Sequence, residues 1–134
     1  MKRKSVAAIS VLSAAMALFM TSAFAQDWTC RNNDAEIVCD SDTCTVTPKG
    51  DFTPMSLSVG TDGTLSLCAY SGCWSGTATN TFRTPHYFIT IGLNLPWSAA
   101  NGATSDVTAT INTKTGIGFV LAGNYAHPMT CDAR

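Results

Sequence analysis

Six cysteines constrain this chain more than any other feature. An even number of cysteines in a short chain that carries an export signal is typical of a disulfide framework, because such bonds persist only in oxidising compartments. The chain is therefore expected to fold into a small domain stapled by disulfides. The six are Cys30, Cys39, Cys44, Cys68, Cys73 and Cys131.

The spacing of the cysteines favours one pairing among the 15 that six cysteines allow. Two pairs share the spacing C-x4-C, which leaves the outermost two cysteines to join the ends of the domain. The favoured pairing is Cys39–Cys44, Cys68–Cys73 and Cys30–Cys131. A rival pairing joins Cys30 to Cys39 across a hairpin and Cys44 to Cys131. A closed loop of about 100 residues stabilises by about 4.7 kcal/mol in the chain-entropy model, so we expect the bond between the ends to contribute most.

The N-terminal segment has the pattern of a cleavable signal peptide. The basic residues 2–4 precede an apolar run from about Val6 to Met20, and Ala23-Phe24-Ala25 supplies the small residues of a cleavage site. We expect residues 1–25 to be removed and residues 26–134 to form a single domain, periplasmic or secreted. The apolar run is shorter than the roughly 20 residues that span a bilayer, so no membrane span is predicted.

The charge of the mature chain argues against nucleic acid as a partner. Loss of the signal removes three of the eight basic residues and none of the nine acidic ones, which leaves a net charge of about −4. The remaining basic residues are scattered, whereas phosphate binding requires clustered Lys and Arg. An anionic membrane surface is disfavoured for the same reason.

Alternating apolar and polar residues predict an all-β fold. Hairpins are expected at 55–69 and 107–121, with turns at 60–63 and 113–116, and further strands at 75–83 and 87–91. The longest loop is predicted at 94–105. We expect a small antiparallel meander of six to eight strands, closed as a barrel or folded as a sandwich and stapled by disulfides.

The segment from Cys68 to Gly76 is the most distinctive candidate site. A disulfide across it would pin a tight loop carrying Tyr70, Ser71 and Gly72 and followed by Trp74. Rigid loops with aromatic side chains are good anchors for a protein groove or a sugar ring. The alternative is that Trp74 fills the core beside the disulfide.

Acidic residues crowd near the mature N-terminus, at Asp34, Glu36, Asp40 and Asp42. The glycine of a calcium-binding EF-hand loop is missing from this segment, so we interpret it as a solvated acidic surface. A glycosidase pair is a weaker alternative, since closeness in sequence does not fix the separation of two carboxylates.

The histidines supply little support for catalysis. His86 and His127 each lie beside a proline, and we expect both at loop or rim positions. Two histidines without a free thiol are too few for a zinc site. The G-x-S-x-G elbow of one large hydrolase class is missing, and paired cysteines offer no thiol nucleophile. No catalytic residue, metal or cofactor is predicted.

The layout resembles the bacterial periplasmic inhibitors of c-type lysozyme. The resemblance consists of Trp28-Thr29-Cys30, Met129-Thr130-Cys131 and the Ser71-Gly72 pair in a loop between them. It implies an exported β domain that inserts a Ser-Gly loop into an enzyme's cleft. The Cys68/Cys73 clamp and the adjacent Trp74 depart from that pattern.

These observations lead to a non-enzymatic binding protein, most plausibly an inhibitor of another protein such as a cell-wall hydrolase. A carbohydrate-binding module is the second hypothesis, and it predicts exposed, coplanar rings at Trp74, Tyr70 or Trp97. A small hydrolase is the third, and it predicts a histidine and an acidic partner in one pocket. The partner is thus expected to be a protein of the cell envelope or exterior, or a glycan.

Overall fold

The computed structural model describes residues 26–99 and 102–134. The predicted signal peptide lies outside these residues. All described elements are β-strands, in one antiparallel sheet curled into a half-barrel, which confirms the all-β prediction. The eleven strands exceed the six to eight expected, because the strand predicted at 75–83 is divided and four further strands form outside the predicted ranges. They are β1 (Trp28–Arg31), β2 (Ala35–Cys39), β3 (Cys44–Pro48), β4 (Ser56–Val59), β5 (Thr64–Ala69), β6 (Gly72–Thr77), β7 (Asn80–Arg83), β8 (Tyr87–Pro96), β9 (Thr104–Asn112), β10 (Ile117–Ala122) and β11 (Tyr125–Ala133).

The first and last strands lie side by side in the middle of the sheet. The order is β6-β5-β4-β1-β11-β10-β9-β8-β7, so two meanders extend outward from the β1–β11 pair. The β2–β3 hairpin branches from this path and pairs with β11 near Tyr125. Both predicted hairpins are present, as β4–β5 and β9–β10. Meander pairing was therefore correctly predicted for the segments with the clearest alternation.

Two predicted boundaries are wrong. The strand expected at 75–83 is divided into β6 and β7, because the backbone N–H of Ala78 donates to Gly63 and that of Thr79 donates to Ile91. The long loop expected from Asn94 is shorter, since β8 continues to Pro96. Asn94 lies at the β8–β9 irregularity with a φ of 52°, and its N–H donates to Asp106 Oδ1 at 2.7 Å.

The core lies on the concave face of the curled sheet. Alternate residues of the long strands point inward, as in the buried-exposed pattern of β10. The fully buried apolar side chains include Leu57, Leu65, Leu67, Phe88, Val107, Ile111 and Val120. These residues come from both meanders, so the core holds the two halves of the sheet together.

All three disulfides follow the favoured pairing, and the rival pairing is wrong. Each joins residues directly opposite one another in an antiparallel pair, namely Cys30–Cys131, Cys39–Cys44 and Cys68–Cys73. The described residues include no free cysteine and no helix long and apolar enough to cross a membrane.

Candidate functional site

The β5–β6 hairpin projects Tyr70 into solvent. Tyr70 and Ser71 form the turn, and the Cys68–Cys73 disulfide joins the two strands directly behind it. Tyr70 is 85% exposed, the most exposed large hydrophobic side chain described. A short turn held by paired strands and a disulfide has few conformations, so the tyrosine is presented on a pre-ordered support.

The hairpin is also anchored to the segment that follows β8. Ser98 donates its backbone N–H to the Cys73 carbonyl and accepts the Cys73 N–H at its Oγ, both at 2.9 Å. A Cβ added to Gly72 would approach Trp97 Cζ2 and Ser98 Oγ to 2.9 Å, closer than real side chains allow. Glycine at position 72 therefore permits the close approach of the two segments.

Trp74 and Trp97 join the two ends of the curled sheet. They form an isolated antiparallel bridge. The bridge continues the register of the β7–β8 pair, in which Asn80 lies opposite Ile91. Their ring centroids are 4.4 Å apart and the planes are inclined by 49°. Trp74 is half-buried and packs against the core, so the structural interpretation of this residue is correct for part of its ring.

The other part of Trp74 lines a cavity of about 380 Å³ beside the hairpin. Trp97 and Tyr125 contribute further aromatic wall, and Ser71 reaches it from the hairpin turn. Glu36 and His127 also line it. Of the four predicted binding residues, the structure brings Ser71 and Trp74 to this cavity. Tyr70 lines two other cavities, of about 490 and 290 Å³, to which the β3–β4 connection also contributes.

Strand register explains why Glu36 and His127 meet. In the β2–β11 pair, Ile37 lies opposite Ala126, and one residue further along the register sets Glu36 opposite His127 on the concave face. Glu36 Oε2 lies 3.9 Å from His127 Nδ1. Tyr125, two residues before His127, lies on the same face with its ring parallel to the imidazole and the centroids 6.1 Å apart.

His127 is fully buried and is held by Asn32. The Asn32 amide donates from Nδ2 to His127 Nδ1 at 3.1 Å, which leaves the proton of the neutral imidazole on Nε2. Nε2 and Asn32 Oδ1 are buried and have no hydrogen-bond partner among the residues that the structure describes. The Nε2 hydrogen is thus sealed inside the protein and is not exposed to the cavity.

Burial dominates the electrostatics of this pair. It lowers the pKa of His127 from its ordinary value and raises the pKa of Glu36, because in both cases desolvation disfavours the charged form. The Glu36 side chain is only 15% exposed, and within the described part of the chain its one ion-pairing neighbour is His127. With the imidazole neutral, an ionised Glu36 has no cation to balance it.

Two sequence-based placements are corrected here. His127 is buried inside β11 instead of lying at a rim, and Glu36 belongs to the cavity instead of a solvated surface. The signal for His127 was its alternation with Met129 and Cys131, two inward-facing residues of the same strand. His86 lies in the exposed β7–β8 turn, as predicted.

Asp40, another residue of the acidic segment, is held within a turn. In the β2–β3 turn, Asp40 accepts the backbone N–H groups of Asp42 and Thr43, and these bonds hold its pKa below the usual value. Over residues 26–99 and 102–134, no group of three or more His, Cys, Asp or Glu side chains is arranged to hold a metal ion.

The fold and site together define a disulfide-stapled antiparallel β domain with an aromatic-walled cavity beside a clamped hairpin. Comparison with protein-family models, with curated proteins and with solved structures gives no significant match.

Proposed function

We propose that the mature domain is a non-enzymatic binding protein that acts in the periplasm or outside the cell and blocks another protein, such as a cell-wall hydrolase. The observation that carries the proposal is Tyr70, 85% exposed at the turn of a hairpin that is clamped by a disulfide and tied to Ser98. An exposed tyrosine is a favoured hot-spot residue, and a pre-ordered loop loses little entropy on binding.

The surroundings of the hairpin suit insertion into a partner. Three cavities adjoin it, one lined by Trp74 and the others by Tyr70, so a partner that grips the turn gains concave surface to fill. Three disulfides in a small domain are typical of proteins that work in an oxidising compartment. The resemblance to periplasmic lysozyme inhibitors supports the same class of partner.

The glycan-binding alternative receives less support. Sugar-binding platforms present exposed rings in one plane, whereas the Trp74 and Trp97 planes are inclined by 49° and Trp74 is half-buried. Tyr70 does not line the Trp74–Trp97 cavity and instead lines two others. The three aromatic residues therefore do not form a common stacking surface.

The hydrolase alternative is favoured by one observation. Glu36 and His127 lie in one cavity, as that hypothesis predicts. We rank it second because Asn32 occupies His127 Nδ1, and no hydroxyl among the described residues hydrogen-bonds Nε2 to serve as an activated nucleophile. Hydrolysis of peptidoglycan or ester substrates that is abolished in Glu36→Gln but retained in Asp42→Asn would reverse this ranking.

The test of the inhibitor proposal uses the oxidised protein exported from its own host. The wild type, Tyr70→Ala and Tyr87→Ala are compared as baits in envelope extracts and as inhibitors of lysozyme and other peptidoglycan hydrolases. Tyr87 is a matched control, being an exposed tyrosine at the β7–β8 turn. We expect one stoichiometric protein partner, lost with Tyr70→Ala and retained with Tyr87→Ala. A partner bound equally by both variants, or no partner and no inhibition, would overturn the proposal.

A further inference from the structure

The cavity beside the hairpin combines aromatic walls with a single acidic group. Its walls are aromatic, from Trp74, Trp97 and Tyr125, and Glu36 is its one acidic residue. Neither lysine nor arginine lines it. A volume of about 380 Å³ lies within the range of small-molecule sites.

The cavity also contains an acidic group that its own neighbours leave without a counter-charge. The Glu36 carboxylate is largely removed from water, and its nearest ionisable neighbour is an imidazole held neutral by burial. A cationic ligand in the cavity supplies the counter-charge that the neighbours of Glu36 do not.

We propose that this cavity binds an organic cation, an alkylammonium or guanidinium head group held against the Trp74, Trp97 and Tyr125 rings and paired with the Glu36 carboxylate. Aromatic faces attract cations most strongly where water is excluded, and the acidic group beside them supplies the counter-charge. A neutral sugar fits less well, because it leaves the carboxylate without a counter-charge.

Two kinds of molecule supply such an organic cation. One is a free small molecule such as a quaternary amine, and the other is a lysine or arginine side chain of the partner that grips the hairpin, in which case the inference rests on the proposed function. Titration of the protein with small cations alone separates this inference from the inhibitor proposal, because it needs no protein partner.

The experiment measures binding of choline to the oxidised protein by tryptophan fluorescence and by chemical shifts of the indole N–H groups. The matched neutral probe is 3,3-dimethyl-1-butanol, which has the same shape without the charge. N-acetyl-lysine methylamide and N-acetyl-arginine methylamide stand for partner side chains. The variants are Glu36→Gln, which keeps the size of the side chain, and Asp42→Asn, which removes an exposed acidic group in the β2–β3 turn.

We expect choline or one of the two amino-acid amides to bind, and the neutral probe to bind at least about tenfold more weakly than choline. Glu36→Gln is expected to weaken cation binding by about tenfold, and Asp42→Asn by less than about twofold. Preference for the amides over choline assigns the site to a partner side chain, and the reverse assigns it to a free ligand. Equal binding of the neutral probe, no effect of Glu36→Gln, or binding of N-acetylglucosamine with no cation binding would overturn the proposal.

Discussion

Glu36 and His127 face each other across adjacent strands, with Glu36 Oε2 3.9 Å from His127 Nδ1, yet burial favours the neutral form of both. A carboxylate this close favours a protonated imidazole, but the desolvation of a fully buried ring outweighs that attraction. The pair is therefore better described as a desolvated acid beside a neutral imidazole than as a salt bridge. Its properties make the stability of the fold depend on pH in two opposite senses.

Acidification should destabilise the protein through His127. The folded-state pKa of His127 is lowered from 6.5, so as the pH falls the unfolded state takes up a proton before the folded state does. Stability that is fully present above pH 6.5 is therefore lost as the pH falls towards the folded-state pKa. Urea unfolding at several pH values between about 7.5 and 5 measures the loss. We expect a His86→Gln control to keep this dependence and His127→Gln to flatten it. An NMR titration of the wild-type imidazole provides a second readout if His127→Gln fails to fold, and a His127 pKa at or above 6.5 would contradict the prediction.

Glu36 acts in the other direction. Because the folded-state pKa of Glu36 is raised, the folded protein binds the Glu36 proton more tightly than the unfolded chain does. The stability gained in this way is complete below the unfolded-state pKa of 4.5 and is lost as the pH rises through the folded-state pKa. Glu36→Gln should therefore raise the melting temperature at pH 7 and have little effect near pH 4. The same measurement on Asp42→Asn should show no such gain at pH 7. A Glu36→Gln variant that is less stable than the wild type at pH 7 would show that the carboxylate stabilises the fold.

The disulfide between the end strands should stabilise the fold more than either local disulfide. Cys30 and Cys131 are 101 residues apart, whereas Cys39 and Cys44 are five apart. The chain-entropy model gives about 4.7 kcal/mol for the long loop and about 2 kcal/mol for the short one. Replacing both members of each pair by alanine and measuring unfolding in urea should show a difference of about 2 to 3 kcal/mol. Equal losses from the two double variants would count against the chain-entropy account for this fold.

The left-handed backbone at Asn94 should tolerate glycine and resist a β-branched residue. Asn94 has a φ of 52°, where asparagine and glycine are accepted and other side chains are strained. Asn94→Val is expected to destabilise the protein by about 1 to 2 kcal/mol, and Asn94→Gly to leave its stability nearly unchanged. Because this irregularity lies just before Trp97, a shifted tryptophan fluorescence spectrum in Asn94→Val would be a second expected effect.

The parts of the fold that were predictable from sequence are those fixed by local patterns. Alternation over Leu57 to Leu67 and over Val107 to Ile111 specifies which face of a strand is buried, and the intervening turn residues specify the hairpins. The two C-x4-C spacings match hairpins in which the cysteines lie directly opposite each other.

The candidate site was only partly predictable because it depends on strand order. Trp97 meets Trp74 through a bridge between the two ends of the curled sheet, and Glu36 meets His127 because the β2–β3 hairpin pairs with the last strand. Neither pairing has a local signature. The proline beside His127 suggested a loop, but in β11 Pro128 is half-buried within the strand and leaves its alternation intact.

The adjacency of β1 and β11 has a mechanical consequence. The Cys30–Cys131 bond joins these strands close to both ends of the described chain, where Trp28 also pairs with Ala133. A force applied between Gln26 and Arg134 is carried by this covalent bond, which shields the part of the sheet between its two cysteines from the load. In single-molecule stretching, the oxidised domain should therefore extend very little, and reduction should release a contour length of roughly 340 Å from the 101-residue loop.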